Sequence, residues 1–264
     1  MQPFEYPMQA VAPTLAAILG VRCPDSAAEA PISAVVKHLA ATRRVAVLAP
    51  DALGVNIWRH WRDTMPFFGR LTRQRLAVLR AVMISKTPVN FACMITGVDT
   101  SVNGIAAKED AFACETLFDV LREEDKTSAG LGRNGWTGNE LLGRFADFSA
   151  EGRGENDREV EHILTNIVEE HLPDFLIVQF GLTDETFHAH GPFSEEAGHA
   201  VAEADAWLAR CVPALTERGY GILVLADHGQ HEVEDDEGNP RGTHGSDSDE
   251  DCLVPLTWTW PGAA

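Results

Sequence analysis

The chain has 264 residues, 45% of them hydrophobic and 23% charged, and 40 Asp+Glu against 21 Lys+Arg leave a formal charge of −19. That apolar fraction excludes an acidic disordered chain and suits one large core, so a single domain over 1–264 is expected. The acid excess excludes a nucleic-acid scaffold and an anionic membrane surface as partners, because both call for a basic face.

Residues 13–20 read as a short helix stopped by Gly20, and residues 31–42 as a second, amphipathic one. R-V-A-V-L-A-P-D, 44–51, is an apolar run ending in an acid, the pattern of a strand buried on both faces. Residues 76–83 predict another strand, 90–97 and 111–122 helices, and 126–132 a short strand before a glycine-rich loop. Residues 157–172 carry a helical pattern that Pro173 ends. D-F-L-I-V-Q-F-G, 174–181, is a second buried-strand run, closing on Thr183-Asp184. A long helix is expected over 194–218, closed by Gly219, then a third buried strand over 220–229. Acid-rich 232–237 and 247–251 read as loops, and 253–260 as a late strand.

Strands alternating with helices predict an α/β fold, with helices on both faces of the sheet. Three apolar strands run into Asp51, Asp184 and Asp227. In open α/β sheets ligands bind beyond the carboxyl ends of the strands. Three carboxylates delivered to one edge repel one another unless a cation sits between them.

Five cysteines without a C-x-x-C pair suggest neither a disulfide framework nor a thiolate zinc site. The apolar stretch 11–21 holds Pro13, lacks a basic residue before it and is too short for a span, so a soluble, cytoplasmic protein is expected. The ten histidines raise metal binding instead. Asp184-x-x-x-His188 puts a carboxylate and an imidazole on one side of a helical turn. Asp227-His228 directly follows a strand, and His244 lies in the loop G-T-H-G. Carboxylate with imidazole suits Zn²⁺ or Mn²⁺. Each element alone is common on a solvated surface; the conjunction with buried strands is not.

Four blocks make the sequence resemble the alkaline phosphatase superfamily, in particular its type I phosphodiesterase/nucleotide pyrophosphatase branch. They are V-L-A-P-D ending at Asp51; K-T-P-V-N over 86–90 with Thr96-Gly97 and N-G-I over 103–105; D-E-T-F-H-A-H-G-P over 184–192; and Asp227-His228-Gly229 with G-T-H-G over 242–245. The resemblance implies an α/β/α sandwich with a largely parallel sheet and no large cap domain. It implies one metal site of Asp184, His188 and His244, and another of Asp51, Thr87, Asp227 and His228. Two divalent ions are expected, zinc first and manganese second. Thr87 is implied as the nucleophile of a phosphoric ester hydrolase working through a phospho-threonine. The substrate would be a small phosphorylated or phosphonate compound.

The pattern is broken twice. Pro88 after the nucleophile has no N–H to offer. Lys108 stands where the family branch has a phosphoryl-contacting Asn, which would favour a more anionic substrate if its ammonium reached that group. Asn90 either bonds the phosphoryl group or caps the helix after Thr87. Lys86 reads as electrostatic help or solvated surface. His190, His199 and His231 fall near the motifs without matching ligand positions, and Cys93 reads as core. Thr87-Pro88-Val89-Asn90 lacks a sulfatase signature. A phosphonate hydrolase or a phosphomutase on the same site are the enzymic alternatives, and a metal-binding module with weakened catalysis is the alternative of another class.

Overall fold

A computed structural model describes residues 5–263. Ten strands form in chain order: β1 (Glu5–Pro7), β2 (Arg44–Pro50), β3 (Ala77–Arg80), β4 (Ser128–Leu131), β5 (Phe148–Ser149), β6 (Phe175–Phe180), β7 (Tyr220–Leu225), β8 (His231–Glu234), β9 (Pro240–Thr243) and β10 (Leu253–Thr259). Eight of them make one sheet in the order β1-β3-β10-β7-β2-β6-β4-β5. β10 runs antiparallel to β3 and β7; every other pair is parallel. A mixed α/β fold on a mostly parallel sheet is therefore observed, as the alternating elements predict.

The three acid-tipped strands are neighbours at the middle of this sheet. β2 lies between β7 and β6, with Leu48 opposite Val224 and Pro50 opposite Phe180. Every residue from Val45 to Pro50 is buried, so both faces of β2 are covered. Helix Val11–Leu19 packs on β2 and on helix Thr87–Thr96, while helix Glu195–Glu217 packs on β7, β2 and helix Pro66–Gln74. A strand covered on both faces needs the continuous apolar run that 44–50 supplies.

Several boundaries differ from expectation. The strand expected over 76–83 ends at Arg80, and residues 81–86 become the loop that leads into the nucleophile position. The helix expected from 90 starts at Thr87, with proline in its first turn, where a missing N–H costs nothing. The helix expected from 111 begins at Leu117, because Thr116 and Asp119 form a reciprocal capping box. The acid-rich stretch 232–237 is not a plain loop; β8 and β9 pair there as a hairpin. Helices Val55–Trp61 and Pro66–Gln74 were not foreseen.

Among the described residues, no helix is long and apolar enough to cross a membrane.

Candidate metal and phosphoryl-transfer site

The carboxyl ends of β2, β6 and β7 bring their acids together. Asp51 and Asp227 are fully buried and Asp184 nearly so, at 8% exposure. Asp184 and His188 sit one turn apart on helix Leu182–His190, and His188 Nε2 lies 3.4 Å from Asp184 Oδ1. His244 Nε2 lies 3.8 Å from the same oxygen. His228 Nε2 stands 3.3 Å from Asp227 Oδ2 and 3.6 Å from Asp51 Oδ1. Thr87 Oγ1 is 3.1 Å from His228 Nε2. The rings of His228 and His244 stack at 3.9 Å.

Two sets of side chains offer ligand atoms within 4.8 Å of one another: Asp51, Asp227 and His228, and Asp184, His228 and His244. His228 belongs to both. His188 lies beside the second set, tied to it through Asp184. The division expected from the resemblance, with His188 in one set and His228 only in the other, is thus less sharp in space.

All three imidazoles are turned the same way. His188 Nδ1 bonds the Gly242 carbonyl at 2.8 Å, His244 Nδ1 the Ser85 carbonyl at 2.7 Å, and His228 Nδ1 the Gly229 carbonyl at 3.0 Å. A carbonyl only accepts, so each neutral ring carries its proton on Nδ1 and presents a bare Nε2 to the cluster. That is the orientation of a metal-ligating histidine.

The electrostatics show what the cluster lacks. Burial, then the nearby charges of Asp227 and Asp184, push the Asp51 carboxyl well above its usual range. Burial opposes ionisation of Asp184 too, but the hydrogen bond with His188 and the surrounding imidazoles draw it below the usual range. The hydrogen bond with Asp184 raises His188. Burial, then His228, pushes His244 down to about 4. Asp51 Oδ1 and Asp227 Oδ2 are buried with no hydrogen-bond partner. Unpaired buried carboxylate oxygens are costly unless a cation meets them, and carboxylate with imidazole is a donor set for a divalent ion. The residues present therefore fit divalent metal ions.

Other residues were missed by the sequence reading. Gln179 Nε2 donates to Asp51 Oδ2 at 2.5 Å, and its Oε1 accepts the Gly138 amide at 2.6 Å. Its signal was a glutamine inside an otherwise apolar strand run. Gln230 Nε2 donates to Asp184 Oδ1 at 2.6 Å. Ser85 donates to the Ser246 carbonyl and accepts the Gly245 amide, joining the loop before Thr87 to the loop of His244. His231 bonds buried Asp251 at 2.8 Å, whose other oxygen accepts Ser246 N–H and O–H. Gly229 touches this region so closely that a Cβ would collide with the Glu250 carbonyl oxygen.

Two residues expected at the phosphoryl group have other partners. Asn90 is fully buried, and its amide is spent on the backbone: Oδ1 accepts Val82 N–H at 2.8 Å, while Nδ2 donates to the carbonyls of Val82 and Lys86. It fastens the loop before Thr87, and its donors are not free for a phosphoryl oxygen; nor does it cap the helix, where Lys86 is the flanking residue. Lys108 donates to the Gly135 carbonyl and so links two loops. His190 and His199 line an open cleft with Glu185, on another side of helix Leu182–His190. Cys93 is buried core, as expected.

The family described as type I phosphodiesterase / nucleotide pyrophosphatase matches residues 139–244. Over 89 residues, 33% of this chain, the sequence is 37% identical to the 2,3-bisphosphoglycerate-independent phosphoglycerate mutase of Chloroflexus aurantiacus. Those residues span 16% of the mutase. Murine ectonucleotide pyrophosphatase/phosphodiesterase 5 shares the fold with a TM-score of 0.64 at 14% identity, over 83% of this chain and 88% of that one. Phosphonoacetate hydrolase from Sinorhizobium meliloti 1021, solved with phosphonoformate, shares it with a TM-score of 0.60 at 19% identity, over 75% of this chain and 59% of that one.

Proposed function

We propose that this chain, whose fold is that of the alkaline phosphatase superfamily, is a metal-dependent phosphoric ester hydrolase with Thr87 as its nucleophile. The observation that carries the reading is the position of Thr87 Oγ1, 3.1 Å from His228 Nε2, against two overlapping carboxylate–imidazole sets. Asp51, Asp227 and His228 would hold one divalent ion, with Thr87 beside it; Asp184, His188 and His244 would hold the other. Such ions, when bound, stabilise an alkoxide and neutralise phosphoryl oxygens. Zinc is the first choice and manganese the second, since these ligands serve both.

The chain's own residues have distinct tasks. Thr87 opens helix Thr87–Thr96, held there by the Ser85 and Asn90 bonds to flanking loops, so its hydroxyl is aimed before substrate arrives. Its oxygen attacks phosphorus, its proton passes to the departing ester oxygen, and a phospho-threonine remains. Water then attacks that phosphorus, phosphate is released with the water's oxygen, and the departing threonine oxygen takes up a proton from that water. In the neutral rings the backbone carbonyls hold the proton at Nδ1, which would leave each Nε2 lone pair for an ion.

The reading takes the chain as one catalytic domain without a large cap. A mutase on the same site ranks lower for that reason, because its intermediate must be kept from water. A phosphonate hydrolase is the second reading, and the fold shared with phosphonoacetate hydrolase keeps it in view.

The test is turnover of p-nitrophenyl phosphate, bis-p-nitrophenyl phosphate and phosphonoacetate with Zn²⁺ and Mn²⁺, for the native chain and for Thr87→Ala. Ester turnover that Thr87→Ala lowers by about a thousandfold or more, at unchanged circular dichroism, is expected. Full activity in Thr87→Ala removes the nucleophile assignment. Two bound metals without turnover of any of these compounds favour a binding module instead.

A further inference from the structure

A second anion site, independent of the metal cluster, emerges from the distribution of arginines. Between residues 52 and 98 the only acid is Asp63, whereas Arg59, Arg62, Arg70, Arg73 and Arg75 crowd into helices Val55–Trp61 and Pro66–Gln74 and their immediate ends. This occurs in a chain of formal charge −19. Elsewhere arginines meet acids closely: Arg22 with Glu115 at 2.5 Å, Arg80 with Asp249 at 2.6 Å, Arg133 with Asp157 at 2.5 Å, Arg210 with Glu161 at 2.6 Å. Among Arg59, Arg62, Arg70, Arg73 and Arg75 the one ion pair is Arg62 to Asp63, at 3.7 Å between two largely exposed side chains.

Arg59, Arg62 and Arg73 line an open cleft of about 570 Å³ together with Trp58, Asp63, Gly69 and Thr72. Gly69 lies beside the Arg73 guanidinium: a Cβ there would make ordinary van der Waals contact with Nη1, at 3.5 Å. The Thr72 hydroxyl is bonded to backbone carbonyls, which leaves the guanidiniums as the recognising groups. The walls are braced from behind. Asp205 accepts the amides of Phe67 and Phe68 at 2.9 and 2.7 Å, and Trp61 Nε1 donates to the Pro192 carbonyl at 2.9 Å. Trp58 meets Phe68 edge to face at 6.0 Å.

Three guanidiniums against the single, largely exposed carboxylate of Asp63 leave the cleft net positive, and a guanidinium matches two phosphate oxygens at once. We propose that this cleft binds a small phosphorylated polyanion, a diphosphate group being the smallest that spans several guanidiniums. None of its residues belongs to the metal cluster, so the proposal stands apart from the reading of that site.

The test is calorimetric titration of inorganic pyrophosphate into the metal-loaded chain, its Arg59→Gln/Arg73→Gln variant and its Arg59→Lys/Arg73→Lys variant, at low and high salt. Beside any binding at the ions, which all three proteins share, the native chain is expected to show a binding event that weakens with salt and weakens tenfold or more in the glutamine variant, with the lysine variant between them. Turnover of p-nitrophenyl phosphate and the melting temperature should stay unchanged in all three. Identical titrations of the native and glutamine proteins would overturn the proposal, and so would a fall in turnover parallel to the loss of binding.

Discussion

Gln179 donates to one oxygen of Asp51 at 2.5 Å, and the other oxygen of Asp51 has no partner at all. The carboxylate is thereby fixed in rotation, with its free oxygen 3.6 Å from His228 Nε2. Gln179 is itself fixed by the Gly138 amide, so the start of helix Gly138–Leu142, distant in sequence, sets the angle of a buried acid. A side chain that orients a ligating carboxylate contributes to metal affinity without touching the metal.

Gln179→Leu should therefore act twice. It strands the Gly138 N–H and the second Asp51 oxygen, a loss of about 1–3 kcal/mol, read in thermal or urea unfolding. It should also weaken metal binding by about 10–100-fold, read by competition with a chromogenic chelator. An unchanged affinity would show that Asp51 needs no such partner.

Removal of His228 and of His188 should have different consequences. His228 Nε2 belongs to both ligand sets, whereas His188 touches one of them through Asp184. One nitrogen lone pair serves one ion, so His228→Ala is expected to weaken the ion held with Asp51 and Asp227, and His188→Ala the ion held with Asp184 and His244. Metal content by plasma mass spectrometry after dialysis against defined free zinc decides this. A variant that keeps both metal equivalents would remove its residue from the ligands.

Chelation should destabilise the protein. Burial together with Asp227 and Asp184 raises the Asp51 carboxyl, which is the signature of acids crowded without a counter-charge. A ligand present at a thousandfold over its Kd stabilises by about 4 kcal/mol. For a chain of this size that shifts Tm by ~10 °C, at about 2–4 °C per kcal/mol. Differential scanning calorimetry with and without EDTA measures it, and no shift with zinc or manganese would argue that the cluster holds neither.

The loop before Thr87 should be sensitive to Asn90 and indifferent to Lys108. Asn90→Ala removes every polar tie from the amide to Val82 and Lys86, and a loss of about 2–3 kcal/mol with slower turnover is expected. Lys108 is engaged with the Gly135 carbonyl, so Lys108→Ala should change monoester and diester turnover by the same factor. A selective loss of monoester turnover would return Lys108 to the substrate.

Much of the architecture could be read from residue order, because a strand buried on both faces must be continuously apolar. The runs ending near Asp51, Asp184 and Asp227 announced themselves in that way, and so did the helix over 195–217. The identities of Thr87, His188, His228 and His244 as candidates were legible because local spacing places such residues beside strand ends. Their orientation was not. Which imidazole nitrogen faces inward depends on carbonyls at Ser85, Gly229 and Gly242, two of them far along the chain. The correction to Asn90 follows from the same cause, since its partners lie in a loop that sequence patterning extended as a strand. The arginine cleft likewise needs residues of two helices and their connection brought to one opening. Residue type and period act over a few positions and so determine elements and candidate chemistry; hydrogen-bond direction and charge neighbourhood are properties of packing, and only the tertiary structure decides them.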